Sequence, residues 1–312
     1  MAIIEVPDIS IVKTVNGSKQ LLSLRDQKIK KDGVLNTFGV GSGIKCNGDL
    51  YVLESEEEPI LEFVLDKGNE ITMGIIHEGD VNVDYGDGIK VKNIFKHTYT
   101  DGKTEHRIKL YGSVDTITKF HIIDYQFGFI DISRSVKLSS LIAKGKIPYE
   151  SNLQNIDLSN NVDITYLELF CCKLKSIDLT NLKKLTHLDL RINNYITSLD
   201  LSQNTALTYL DIYNLGSLHS LDLSKNTELE YLSFDPMNFT SFMGEFLIDL
   251  SKLSKLKEIS AHSYGRESEI EYVSFANTLP DRTGKDTGTL DVRDDAAAWI
   301  QDICTAKNWT IL

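Results

Sequence analysis

The chain has little of what a disulfide scaffold, a disordered linker or a nucleic-acid binder needs. Only 5 prolines occur in 312 residues and no low-complexity tract is present, which argues against long unstructured linkers. Cysteine is found only at 46, 171, 172 and 304. These positions make no C-x-x-C pair, and adjacent Cys171 and Cys172 would need unusual geometry to bond each other. They read as small apolar residues with free thiols, so the fold does not depend on an oxidising compartment. A basic patch is missing too. The net charge is −12, and the densest basic stretch, Lys28 to Lys31, is short and reads as a solvated strand end. Neutralising phosphates takes clustered Lys and Arg, so no nucleic-acid partner is expected.

Nor is there an apolar run long enough to span a bilayer, so no membrane insertion is expected. The opening stretch MAIIEVPDISIVKTVNGSKQ has neither a basic n-region nor an apolar h-region. Export would therefore require a signal already removed. Signatures of chemistry are equally scarce. There is no G-x-S-x-G elbow, no H-E-x-x-H and no twelve-residue EF-hand loop. His97 and His106 lack a partner set for zinc. Gly39-x-Gly41-x-Gly43 has no Lys-Ser/Thr behind it and reads as a loop. No catalytic residue, metal or cofactor is expected.

What the chain does have is a repeat. The motif L-x-x-[LI]-x-L recurs with its second apolar position at Ile156, Leu167, Ile177, Leu188, Leu199, Leu210, Leu221 and Leu232, at spacings of 10 or 11. Alternate units differ in kind, so the true period is 21 to 22 residues, one coil of two extended halves. Alternation places the apolar residues on one strand face, which a single coil cannot bury and stacked coils can. Asn161, Asn204 and Asn226 recur in the turns, where buried amides would satisfy backbone groups. Weaker copies extend the pattern upstream through Ile117, Phe120, Ile122, Phe127, Ile130, Ile132, Leu138 and Leu141. Downstream they run through Leu256, Ile259 and Ala261, then Ile270, Val273 and Phe275. Between them, residues 246–256 (FLIDLSKLSKL) have helical spacing.

The runs ITSLDLSQNTALTYLDI and LHSLDLSKNTELEYL resemble the surface leucine-rich-repeat proteins common in Bacteroides and relatives. The tail LPDRTGKDTGTLDVRDDAAAWIQDICTAKNWTIL resembles the segment that closes such chains. It also reads as a cap, with Asp294 or Asp295 at the start of a helix running to about Lys307. On it Ile300, Ile303, Cys304 and Lys307 share a face beside Trp299, and Trp309 and Ile311 could add a last strand.

Residues 1–116 read as strands, with hairpin signals at Asn16-Gly17 and Asn47-Gly48. The stretch from Val81 resembles a PKD-type immunoglobulin-like domain. It carries the turn Asp84-Tyr85-Gly86-Asp87-Gly88, then His97 and Tyr99, then Gly102, Ile108 and Leu110. Asp84 and Asp87 are better explained by a tight turn than by calcium. Residues 1–58 either supply further strands of that domain or form a small separate module.

The expected fold is thus mainly β. An N-terminal β segment (1–58) and a PKD-like, immunoglobulin-like β-sandwich (59–116) precede a leucine-rich-repeat solenoid (117–280) and a C-terminal helical cap (281–312). One half of each coil is monotonous outside: Asp157, Asp178, Asp200 and Asp222, then Ser159, Thr180, Ser202 and Ser224. That column suits coil building rather than paired catalytic carboxylates. The other half varies. Its columns are Tyr166, His187, Tyr209, Tyr231; then Glu168, Asp189, Asp211, Ser233; then Phe170, Arg191, Tyr213, Asp235. Tyr and Arg are favoured at binding centres, so these columns are the candidate binding face, although Tyr also simply packs well on pleated sheets. The Asn column lies in the monotonous half, which leaves open which half is concave.

The expectation is a non-enzymatic recognition or adhesion protein. It would meet protein or glycan on a cell surface, with a possible assembly partner through the N-terminal β domain. The resemblance implies display outside a cell. The alternative is a virion component, tail, fibre or decoration protein, of a phage infecting such bacteria, which needs no signal.

Overall fold

In the computed structural model the described residues are 58–312 apart from 69, 148–150, 240–247 and 263–268, preceded by the backbone of seven strands. The chain divides into Met1–Glu58 and Pro59–Leu312. In the first unit β1 (Ile3–Glu5), β2 (Val12–Val15), β3 (Ser18–Leu21), β4 (Lys28–Lys31), β5 (Val34–Thr37), β6 (Gly43–Cys46) and β7 (Asp49–Val52) form small sheets. Hairpin registers pair Val15 with Ser18, Lys31 with Val34 and Cys46 with Asp49. Each leaves two residues between strands, at the two expected Asn-Gly signals and at Asp32-Gly33, which reasoning from the sequence passed over. The basic stretch Lys28–Lys31 is a strand. Gly39 and Gly41 lie outside the described residues.

The second unit opens with β8 (Leu61–Lys67), β9 (Glu70–Thr72), β10 (Gly74–His77), β11 (Asn82–Asp84), β12 (Lys90–Lys92), β13 (Lys96–Thr98) and β14 (His106–Tyr111). Antiparallel pairing runs β12-β11-β14-β8, with β9 paired to β13. Alternating apolar residues, Phe63 and Leu65, Ile108 and Leu110, bury one face completely. The Asp84–Gly88 turn is built from its own side chains. Asp84 Oδ1 accepts the Gly86 N–H at 3.0 Å and Asp87 Oδ1 the Ile89 N–H at 3.0 Å. Asp87 Oδ2 lies 2.7 Å from His97 Nε2. Gly86 has φ +79°, and a Cβ there would meet the Arg107 carbonyl oxygen at 2.6 Å, so glycine is required. Tyr85 stacks on His97 at 4.3 Å and Tyr99 on His106 at 3.5 Å, so each histidine ring packs against a tyrosine.

Next, β15 (Ile117–Asp131) is a single 15-residue strand rather than two short repeat strands. Its first half pairs with β10 and its second with β8, with register shifts near residues 126–129. From there the sheet is parallel, through β16 (Ser140–Gly145), β17 (Tyr166–Phe170), β18 (His187–Asp189), β19 (Tyr209–Asp211), β20 (Tyr231–Phe234), β21 (Glu258–Ala261), β22 (Gly288–Val292) and β23 (Trp309–Ile311). Leu167, Leu188, Leu210, Leu232, Ile259 and Leu290 are in register and buried. Each such side chain contributes about 2 kcal/mol. The chain is mainly β, with two α-helices among the described residues, α1 (Glu269–Thr278) and α2 (Asp294–Ala306). Among those residues no helix is long and apolar enough to cross a membrane.

Between strands, the coils repeat one pair of turn bonds. The N–H of Asn161 reaches the Leu158 carbonyl and that of Ile164 the Asn161 carbonyl; the same pair recurs at 179/182/185, 201/204/207, 223/226/229 and 250/253/256. An aspartate opens each turn: Asp157, Asp178, Asp200, Asp222 and Asp249 accept the N–H two residues on at 2.8–3.0 Å. The monotonous column is therefore a set of Asx turns. Because Asp200 is exposed and its bond is local, Asp200→Ala should leave the thermal melt close to that of the parent, measured by circular dichroism. A large drop would contradict this role.

Three expectations are corrected. Residues 246–247 lie outside the described residues, and 248–256 form turns rather than a helix. They are one more coil half, Ile248-Asp249-Leu250-Ser251, with Leu253 in the Asn column. Conversely, Ile270, Val273 and Phe275 sit on α1 rather than continuing the strand pattern; Tyr272, Phe275 and Ala276 give it its buried side. The N-cap of α2 is Arg293, with no side-chain cap bond, rather than Asp294 or Asp295. Ile300 and Cys304 lie on the buried side of α2.

Candidate recognition face

The strands lie in the variable half of each coil, so its three columns form one face. In the first column Tyr166, His187, Tyr209 and Tyr231 are in register. Their rings stack with centroids 4.0, 4.0 and 4.3 Å apart and planes within 10°. Parallel in-register strands sit about 4.8 Å apart, so flat rings on successive strands fall into face contact. All four are half-buried.

Alternation points the second column outward, yet Glu168, Asp189 and Asp211 are buried, at 6%, 1% and 3% exposure. The longer residues on either side fold over these short carboxylates. Tyr166 donates to Glu168 through its hydroxyl, Lys144 pairs with the same carboxylate, and His187 Nε2 lies 3.4 Å from it. Burial alone would raise the Glu168 carboxyl, but the bonds from His187, Lys144 and Tyr166 outweigh it and hold the pKa at about 2.

From the third column, Arg191 reaches back across this row. Its Nε and Nη2 donate to Asp189 at 3.0 and 2.6 Å, and Nε lies 3.2 Å from Asp211 Oδ2. Its guanidinium lies over the Phe170 ring at 5.2 Å. Most of its pairing goes to Asp189. Burial therefore prevails at Asp211, pushing its carboxyl up to about 6, with Arg191 lowering it and Asp189 raising it further. Burial and the neighbouring carboxylates also raise the Tyr166 and Tyr209 hydroxyls, which stay protonated donors at neutral pH. Tyr213 is half-buried, with its N–H on Asp211 Oδ1 at 3.2 Å. Asp235 follows β20, also half-buried. The three columns thus lie on one face, with Glu168, Asp189 and Asp211 beneath rather than on its surface.

No protein-family model matches the chain, and no curated protein does. Solved structures do. An internalin C2 from Listeria monocytogenes is 19% identical, over 65% of this chain and 85% of its own, with a TM-score of 0.40. The functional domain of InlJ from the same organism, which includes a cysteine ladder, is 18% identical over 59% of this chain and 51% of its own (TM-score 0.33). An internalin, InlF, also from that organism, is 19% identical over 64% and 81% (TM-score 0.26).

Behind the face, two further residues matter that sequence reasoning missed. Asn193 is fully buried. Its Nδ2 donates to the Leu169 and Leu190 carbonyls at 2.6 and 2.8 Å, and its Oδ1 accepts from Cys172 N and Leu174 N at 3.2 and 3.0 Å. One coil earlier Cys172 holds the same place, its Sγ 3.4 Å from the Ala143 carbonyl that pairs in register with Leu169. The signal was available: 164–172 and 185–193 carry L-x-x-L-x-L-x-x-N/C, with Ile164 at the first position of one copy. Among the described residues, no group of three or more His, Cys, Asp and Glu side chains could hold a metal ion.

Proposed function

We propose that this protein is a non-catalytic recognition protein acting at a cell surface, and that its strand face binds protein or glycan there. In this reading 117–280 is a leucine-rich-repeat solenoid closed by 281–312. The PKD-like domain at 59–116 serves as spacer or attachment module and offers a surface for an assembly partner.

The ring column carries the reading. Stacking alone would suit a purely structural role. The difference lies in the two outer surfaces of the coil. On the turn side, each aspartate of the column accepts its own turn's N–H through Oδ1, so coil building accounts for that column. On the strand side, four half-buried rings stand beside Phe170, Arg191 and Tyr213, also half-buried. Aromatic and Arg side chains on a rigid parallel sheet provide contact area at small entropic cost.

The test is attachment of the full chain to bacterial and mammalian cells, read by flow cytometry. Replacing Tyr166, Phe170 and Tyr209 together by serine should lower attachment at least tenfold while the circular dichroism spectrum stays that of the parent. Attachment to neither cell type, or unchanged attachment by a folded variant, overturns the proposal.

A further inference from the structure

The face ends in a depression of about 510 Å3. It opens where the second column changes from carboxylates to Ser233 and, one strand on, Ser260. Small side chains stand there in place of the Asp residues of earlier coils.

Three features define what would fit. The first is an aromatic wall. The ring stack stops at Tyr231, because the next residue in the column is Glu258. Tyr231 bounds the depression together with Tyr213. The second is charge balance. Arg191 is paired with Asp189 and Asp211, and His262 Nε2 lies 2.9 Å from Asp291 Oδ1. An anionic ligand would have to compete with carboxylates already in place. The third is the density of hydrogen-bonding groups for the area: the hydroxyls of Ser233 and Ser260, the Asp211 carboxylate, and the Arg191 and Arg293 guanidiniums.

A sugar ring has hydroxyls that both donate and accept around its edge, no charge, and C–H bonds that pack on an aromatic face. A lipid would need an apolar floor, and a phosphate would need cations without partners. The volume lies in the range of small-ligand pockets. We propose that this depression binds a terminal sugar unit of a neutral glycan, its C–H face on Tyr231 and its hydroxyls bonded by Asp211, Arg191 and the two serines. The inference rests on the strand face being the recognition face and names the ligand class at one end of it.

The experiment is saturation-transfer NMR on the full chain at pH 7.5. The probes are glucose, galactose, mannose and N-acetylglucosamine, with glucuronate and glucose 6-phosphate as charged counterparts. At least one neutral sugar should receive saturation, more strongly than either charged probe. Filling the depression with Ser260→Trp should abolish the signal, and Asp211→Asn should weaken binding at least tenfold, the effect of losing a charged hydrogen bond. If Ser260→Trp does not fold, Asp211→Asn decides alone. No transfer to any neutral sugar, stronger transfer to a charged probe, or a signal unchanged in the folded variants overturns the inference. None of Tyr166, Phe170 and Tyr209 bounds the depression, so the two proposals fail separately. Cell attachment lost in the triple variant, with no sugar signal in the parent, removes only the sugar site. A sugar signal with attachment unaffected by the triple variant removes only the wider face.

Discussion

Asn193→Ala should destabilise the protein by about 4 kcal/mol or more, measured by urea denaturation. The side chain joins two coils by four short bonds, two donated to carbonyls and two accepted from N–H groups, beside a longer one to the Arg191 carbonyl at 3.4 Å. Alanine leaves all four backbone groups buried, and each such group costs about 1–3 kcal/mol. Asn204→Ala should cost less. Its Nδ2 serves only the Leu179 and Leu182 carbonyls, at 3.0 and 2.9 Å, and its buried Oδ1 has no protein partner. Asn160→Ala should cost least, because its single bond to the Ser133 carbonyl is exposed. Asn193→Cys should fall between Asn193 and Asn193→Ala, since Cys172 shows that a thiol can serve the carbonyl of the preceding strand. An Asn204→Ala variant as damaged as Asn193→Ala would show that the four-bond account is wrong.

These residues also mark where the sequence was legible and where it was not. The ring column could be read directly, because strands of period two in a parallel register place Tyr166, His187, Tyr209 and Tyr231 one above another. Asn161, Asn204 and Asn226 were legible because three copies share one residue type. The column of Asn193 was not, since its neighbours there are Cys172 and Leu215. Residues 248–256 misled for a different reason. The turns place leucines three apart, at 250, 253 and 256, and three is also a helical spacing. Only Asp249 and Ser251, the Asx pair of every other coil, separate the two readings. At 269–278 the ambiguity ran the other way, and the i, i+3, i+4 set Tyr272, Phe275, Ala276 decides for helix. Burial of Glu168, Asp189 and Asp211 could not follow from alternation, which gives direction but not what folds over a short side chain.

That burial leads to the second large effect. Asp211→Asn should become progressively more stabilising, relative to the parent, as pH rises from 4 to 8. The folded protein holds this carboxyl at about 6, above the ordinary value of 3.8. In that window the folded state binds more protons at this group than the unfolded state does, so stability falls as pH rises. The group's favourable contribution is complete below about pH 4 and is lost as pH passes through about 6. The displacement from 3.8 to about 6 corresponds to about 3 kcal/mol. The neutral amide has no such dependence, so the variant's advantage should grow by about that much across the range, measured by denaturation at each pH. A difference that stays constant with pH would mean that Arg191 compensates the Asp211 charge fully. Glu168 runs in the opposite sense: its pKa of about 2 lies below the ordinary 4.5, so its contribution is present above about 4.5 and lost as pH falls toward 2. It does not confuse the comparison, because parent and variant share it. Asp211 also accepts the Tyr213 N–H and pairs with Arg191, so the amide gives up a charged partner for Arg191 across the whole range, and it is the slope with pH rather than the offset that reports the buried carboxyl.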